Sequence, residues 1–197
     1  MATSRVAIQS VDQLLALLKI SIKEKDPDYL KWVSDFVSKN RHKTFALKNP
    51  AGARLKIGSL EDTMYKGNDG KLNGWGKFYL PEIVKMTVLG VVEGTSCPYD
   101  QLVLMTCENR KLYAFDGEKE ELHMVAENLK ELGEKGLMYP SSQSYYKGEP
   151  FKHMTEEHWD KVRNGAVGKK LDEEHRKLVA AKKSKLLEKL KTTKAAA

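Results

Sequence analysis

The sequence is poor in cysteine. Cys97 and Cys107 are its only two thiols, too few for a domain held together by a disulfide framework. Long apolar runs are also lacking. The longest, at residues 14–22 and 80–92, are interrupted by Lys or Glu, and neither can span the roughly 30 Å hydrocarbon core of a bilayer. The opening MATSRVAIQS has no basic segment followed by a long apolar run and a small-residue cleavage site, so it does not read as a secretory signal. These absences point to a soluble cytoplasmic protein with reduced thiols. No internal repeat of 20–50 residues is evident, which argues against a solenoid.

What is present is enough to fold. Hydrophobic residues make up 41% of the 197 positions, well above the level of a disordered chain. The net charge of +7 is unevenly placed. Residues 166–197 hold ten Lys/Arg against four Asp/Glu, and the other 165 residues hold 24 against 23. The body is therefore close to neutral. Any reading as a basic nucleic-acid or anionic-surface binder rests on the tail alone.

Along the chain, Ser10 and Gln13 form a capping box, each satisfying the other's backbone N–H. Leu14, Leu17, Leu18 and Ile22 then repeat at helical spacing. Asp26-Pro27 restarts a helix, with Tyr29, Trp32, Val33, Phe36 and Val37 as its buried stripe. Together these predict a helical hairpin over residues 10–39. Residues 44–47 and 54–57 alternate as half-buried strands, and Asn49-Pro50-Ala51-Gly52 between them is turn chemistry. The Gly/Asn/Asp-rich stretch 65–77 reads as a loop or a set of turns. Pro81 opens a possible short helix at 82–86. Residues 88–92 either extend it or form a buried strand. The clearest strands are 101–107 and 111–115. Leu102, Leu104 and Thr106 lie on one face of the first, and Val103, Met105 and Cys107 on the other, so that strand should be central and covered on both sides. Asp116-Gly117 is a hairpin signal leading to a third strand at 121–125. A helix follows with Val125, Leu129 and Leu132 inward and Gly133 as its stop. Residues 137–153 are an aromatic-rich loop. Thr155 caps a helix with Trp159 and Val162 inward, ended by Asn164-Gly165. A last helix runs from Lys170 to about Lys191, with the favourable pairs Asp172–Arg176 and Glu173–Lys177.

Few patterns carry chemistry. The stretch from Tyr65 to Lys77 is neither a Walker A loop nor a dinucleotide fingerprint, and Asp69 lacks the further ligands of a calcium loop. Its Tyr-x-Gly followed by Gly-x-Gly ahead of Phe78 resembles a single MORN repeat, which implies a small hairpin. The five histidines and two cysteines have no zinc-ligand spacing, so no metal and no cofactor is expected. Cys97, in a loop before Pro98, is the one candidate nucleophile, needing a nearby base to be reactive. Leu102 to Leu132, read as strand, turn, LYAFDG, strand and VAENLKEL, is similar to the end of SUKH-type domains. That resemblance implies an α+β interaction module of the kind used in immunity and regulation.

The sequence thus predicts an α+β fold: an N-terminal helical hairpin, a mostly antiparallel sheet over about 43–125, and C-terminal helices. One globular domain spans 1–165, followed by a basic helix at 166–197. The leading functional expectation is a non-enzymatic, protein-binding molecule of the cytoplasm. Its contact residues would be Tyr65, Trp75, Tyr139, Tyr145 and Tyr146. One alternative is anionic binding through Lys182, Lys183, Lys185 and Lys189. Others are a Cys97-dependent enzyme and a small-ligand carrier.

Overall fold

A computed structural model describes residues 7–21, 28–97 and 101–195. The elements, in order, are β1 (Ile8–Gln9), α1 (Val11–Ser21), α2 (Tyr29–Asn40), β2 (Thr44–Ala46), β3 (Arg54–Ile57), α3 (Asp69–Phe78), β4 (Thr87–Glu93), β5 (Leu102–Thr106), β6 (Leu112–Asp116), β7 (Glu121–Ala126), α4 (Leu129–Lys135), β8 (Ser144–Tyr146), α5 (Glu156–Asn164) and α6 (Ala166–Ala195). The chain is α+β. Among the described residues, eight strands lie side by side in chain order, antiparallel throughout except for the short parallel pair β1–β2. Residues 1–152 and 153–197 form two separate compact units.

In the first unit both faces of the sheet are covered. Leu14 and Leu18 of α1, Val33, Phe36 and Val37 of α2, and Leu129 and Leu132 of α4 bury against Leu55, Val92, Leu102, Leu104 and Ala114 on one face. On the other, Trp75 of α3 with Tyr79, Leu80 and Met86 covers Val88, Val103, Met105, Phe115 and Leu122. Both β5 and β6 are buried along their whole length, as expected of a strand with two apolar faces. The N-terminal pair of helices is present. Ser10 N–H donates to Gln13 Oε1 at 2.9 Å, and Gln13 N–H donates to Ser10 Oγ at 3.3 Å, which fixes the start of α1. Residues 26 and 27, expected to open α2, lie outside the described residues. The hairpin β2–β3 pairs Phe45 with Leu55. Its turn docks on the end of α4, where Leu137 N–H donates to the Asn49 carbonyl at 2.7 Å.

Several local expectations give way. Residues 69–78, read as loop or hairpin, are α3, so the MORN-like reading fails. The helix is capped by Asn68, whose side chain accepts from Lys71 N–H. Leu72, Trp75 and Tyr79 fall at helical spacing on its inner side. Gly70, Gly74 and Gly76 each disfavour a helix by about 1 kcal/mol. Burial of a large apolar side chain contributes about 1.5–3 kcal/mol, so Trp75 and Tyr79 outweigh them. Gly76 is required by contact: a Cβ there would sit 2.1 Å from the Val84 carbonyl oxygen. Residues 82–86 are an extended strap rather than a helix. Its amides are spent elsewhere, Val84 N–H on the Gly76 carbonyl and Lys85 N–H on the Glu108 carboxylate. Residues 88–92 belong to strand β4. Gly133 does not end α4; it lies inside the helix against Leu15 of α1, and Gly136 at φ +87° is the stop. The aromatic loop contains the eighth strand, β8, whose Tyr145 pairs with Leu122.

The second unit is a pair of helices. Thr155 caps α5 by accepting from His158 N–H, and Gly165 ends it. Gly168 lets α6 leave closely, since a Cβ there would meet the Arg163 carbonyl at 2.3 Å. Trp159 and Val162, expected inward, are exposed, as are Val167, Leu171 and Leu178. Two helices alone have no third layer to bury them. The Asp172–Arg176 and Glu173–Lys177 pairs form at 3.4 and 2.8 Å.

Candidate functional site

The residues that carry chemistry fall on opposite faces of the sheet. Trp75 is fully buried, its ring 4.9 Å from Phe115 and edge-on to Tyr65 at 5.2 Å. It is a core residue. Tyr65 is half-buried above the β6–β7 turn, where a Cβ on Gly117 would lie 2.4 Å from its hydroxyl. Cys97 and Tyr139 lie across the sheet, on the α1/α2/α4 side. Stretch 65–77, Cys97 and the aromatics of 139–151 therefore do not share one pocket.

Cys97 and Tyr139 meet instead at Asp116, which is fully buried at the end of β6. Tyr139 Oη–H donates to Asp116 Oδ2 at 2.7 Å. Glu118 and Lys119 N–H donate to Oδ1 at 2.9 and 3.3 Å, and the Cys97 thiol lies 3.7 Å from the same oxygen. Burial pushes the Asp116 carboxyl upward, but these donors more than offset it, and the group stays below its ordinary value. Burial, then the hydrogen bond to this carboxylate, raises Tyr139 far above the ordinary tyrosine range. Tyr139 is thus a fixed donor. Nearby, the buried His123 stacks edge-on against the Tyr139 ring at 5.1 Å. Its Nε2 lies 3.2 Å from Glu121 Oε2 but without hydrogen-bond geometry, leaving both ring nitrogens unbonded. An activated cysteine needs cationic neighbours. A buried thiol pointing at a carboxylate is the opposite arrangement. Cys107 is buried too, and burial raises its thiol. Among the described residues no group of three His, Cys, Asp or Glu side chains could hold a metal ion.

The remaining aromatics form an open surface. Tyr145 is the last member of a cross-strand row, Lys56–Val91–Val103–Phe115–Leu122–Tyr145, on the α3 side. Beside it is a cleft of about 260 Å³ walled by Leu80, Pro81, Val84, Tyr113 and Tyr145, with Glu82, Asn109 and Lys111 as its polar groups. The Tyr113 and Tyr145 rings are 6.4 Å apart. Asn109 Nδ2 donates to Tyr113 Oη at 3.0 Å, and burial pushes that phenol up to about 12. Ile83, between two lining residues, is 70% exposed, and Tyr146 is 56% exposed. Sequence reasoning picked out Tyr145 and Tyr146 but missed Tyr113, Ile83 and the strap. The available signal was the parity of Tyr113 on β6, which matches that of Phe115. A larger depression of about 380 Å³ mixes Asp28, Lys31, Lys85, Glu108 and Arg110 and has no single charge character. On α6, Lys182 and Lys183 are exposed. The side chains of Lys185 and Lys189 lie outside the described residues.

The first unit is thus an α+β domain on a meander sheet, with a closed polar cluster on one face and an open tyrosine-walled cleft on the other. A family model described as US22 like matches residues 27–143, and the chain belongs to that family. The match runs from the start of α2 to the residue before β8 and contains the whole stretch similar to SUKH-type domains. The chain is similar to the uncharacterized protein 005R of Frog virus 3 (isolate Goorha), 35% identical over 118 residues, covering 58% of this chain and 56% of that protein. It is also similar to the uncharacterized gene 87 protein of Gallid herpesvirus 2, 30% identical over 122 residues, covering 61% and 67%. A third relative is the uncharacterized protein FPV250 of Fowlpox virus, 31% identical over 84 residues, covering 42% and 59%. The chain therefore spans little more than half the length of the Frog virus 3 relative. No solved structure matches. No helix among the described residues is long and apolar enough to cross a membrane.

Proposed function

We propose that this chain is a non-enzymatic protein-interaction module, and that the surface around Tyr145, Ile83 and Tyr113 is its contact face. The observation that carries this reading is the cleft. It is smaller than the roughly 300–1,000 Å³ of ordinary small-molecule sites and open, and the exposed Ile83 lies between two of its lining residues. Tyrosines at such a place supply large contact area with a hydrogen-bonding tip, the pattern of interface anchors. At the polar cluster, by contrast, Asp116 is buried and satisfied by its donors. The similarity to SUKH-type interaction modules points the same way. The test is affinity capture with cross-linking from cells that express the intact chain. Specific partners should be retained by the wild type and lost by Ile83→Asp/Tyr145→Asp. Turnover in a metabolite screen, with no partner sensitive to that pair, refutes the reading.

A second reading has its own observation. The last 22 residues carry eight Lys/Arg against one Glu, and 176–195 are helical. Such a segment attracts phosphates nonspecifically. Binding to duplex DNA or anionic vesicles should then fall steeply with salt and vanish on truncation after Gly165. Binding that survives truncation excludes the tail.

A further inference from the structure

The contact face lies beside a strand edge, and the two share a residue. β8 is hydrogen-bonded to β7 and ends the sheet. In an antiparallel pair, alternate residues spend their N–H and C=O groups on the neighbour, and the others direct theirs away. Natural edge strands are usually blunted by Lys, Pro, a bulge or extreme shortness. At the other end of the sheet, β1 is only two residues long. β8 is one residue longer, Ser-Tyr-Tyr, with no charge and no proline. Its row position fixes where a further strand would point. A residue placed next to Tyr145 continues the row that ends Phe115–Leu122–Tyr145, and its side chain emerges on the α3 side, where the cleft opens. The cleft's walls are apolar and aromatic. Of its two charges, Lys111 is already 3.2 Å from Glu127, while Glu82 makes no ion pair among the described residues. That leaves one uncompensated negative charge at the rim.

Building on the interaction reading, we propose that an extended segment of a partner polypeptide adds a ninth strand along β8 and seats an apolar side chain against Tyr145 at the mouth of the cleft, with a Lys or Arg two residues away on the side of Glu82. Backbone hydrogen bonds would supply much of the affinity, and the pocket would supply specificity, the usual division in strand addition. Spacing by two is needed because neighbouring residues of a strand face opposite ways. The occupant is a peptide backbone, since only an extended chain matches a row of outward N–H and C=O groups.

The probe is a phage library of random dodecapeptides panned on the full-length chain, with enriched sequences resynthesised and measured by fluorescence anisotropy. The expected winners carry an apolar residue and a basic residue two positions apart. N-methylation of alternate amides around the anchor should weaken binding at least about tenfold at one parity and less than about twofold at the other, because a lost backbone bond leaves its partner unsatisfied. Glu82→Gln should remove the preference for the basic residue. The methylation arm leaves the protein unaltered, so a misfolded variant cannot imitate the result. Peptides that compete at the Tyr113–Tyr145 cleft but tolerate methylation at both parities would overturn strand addition while leaving the contact face standing. Enrichment of nothing, or of peptides indifferent to Ile83→Asp, overturns the contact face itself.

Discussion

Asp116 offers the sharpest test of how the first unit is held together. Replacing it with Ala orphans the Tyr139 hydroxyl and two backbone N–H groups that now donate at 2.7, 2.9 and 3.3 Å. A buried donor left unsatisfied costs about 1–3 kcal/mol. Glu118 and Lys119 are exposed turn residues, so their amides can turn to water, and most of the penalty falls on Tyr139. The expected loss for Asp116→Ala is about 2–4 kcal/mol. Against a typical domain stability of about 5–15 kcal/mol, that is a drop in Tm of about 5–15 °C. Tyr139→Phe removes one bond to a charged acceptor and should cost about 1.5–3 kcal/mol. The two act on one bond, so the double variant should fall short of additivity by about 1–2 kcal/mol. Urea melts followed by circular dichroism at pH 7 measure all three. The pH dependence supplies a second readout. The folded Asp116 value is lowered, so its ionised form stabilises the fold fully above the unfolded value near 4. That contribution is lost only as pH falls through the lower folded value. The gap between wild type and Asp116→Asn should therefore be flat from pH 5 to 8 and close below about pH 4. Single-variant costs under about 0.5 kcal/mol, or full additivity, would show that the Asp116–Tyr139 bond does not hold the unit together.

Gly136→Ala should be far worse than Gly52→Ala. Both glycines have φ +87°, but a Cβ on Gly136 would sit 2.3 Å from Asn49 N, while Gly52 faces open space. Backbone strain alone costs about 1–3 kcal/mol, so thermal melts should place Gly52→Ala in that range and Gly136→Ala beyond it. His123→Phe is expected to be neutral or stabilising by up to about 1 kcal/mol, because both ring nitrogens are buried without a hydrogen bond; a large loss in a urea melt means the imidazole has a polar partner. Arg41 donates to Asp62 through Nε and an Nη at 2.8 and 2.9 Å, and with the Ser59 amide this holds the Asp62 carboxyl down to about 2. Because that value is lowered, the pair stabilises above the ordinary aspartate range and its contribution fades as pH falls from about 4 toward 2. In Arg41→Ala, a carboxyl NMR titration should show the Asp62 midpoint moving upward toward 4; an unmoved midpoint assigns the depression to the backbone amide.

The elements that could be read from the chain are those whose own residues state their environment. Val103, Met105 and Cys107 opposite Leu102, Leu104 and Thr106 announce a strand covered on both sides, and the turn signals at Asn49–Gly52 and Asp116–Gly117 announce the β2–β3 and β6–β7 hairpins. Capping pairs at Ser10 and Thr155 mark helix starts because side chain and backbone lie within three residues of each other. The misread elements depend on distant partners. α3 contains three glycines and exists because Trp75 and Tyr79 find Phe115, some forty residues on. The 82–86 strap is extended because Gly76 and Glu108 take its amides. Gly133 was legible as a glycine near a helix end, but its cause is Leu15, over a hundred residues earlier. No window of local periodicity contains those contacts.

The site was less legible than the fold for a further reason. Tyr139, Tyr145 and Tyr146 occur in one aromatic stretch, yet the sheet sends them to different places: Tyr139 to a buried carboxylate, Tyr145 to the wall of a cleft, Tyr146 to the surface. Composition treats them alike, and only the pairing of β7 with β8 separates them. That separation also decides between two features that both look functional. A buried Asp–Tyr–Cys cluster resembles catalytic machinery, but its carboxylate is held by the Tyr139 hydroxyl and two backbone amides. Its physical work is to tie the 94–97 and 137–143 segments to β6. The Tyr113–Tyr145 surface has the reverse character. It leaves Ile83 in water beside a short edge strand that carries no charge, the kind of surface a partner can cover. An arrangement that stabilises the fold explains itself; one that leaves apolar surface in water is better explained by a partner, which is why the contact face is proposed at the edge of the sheet rather than at its buried polar centre.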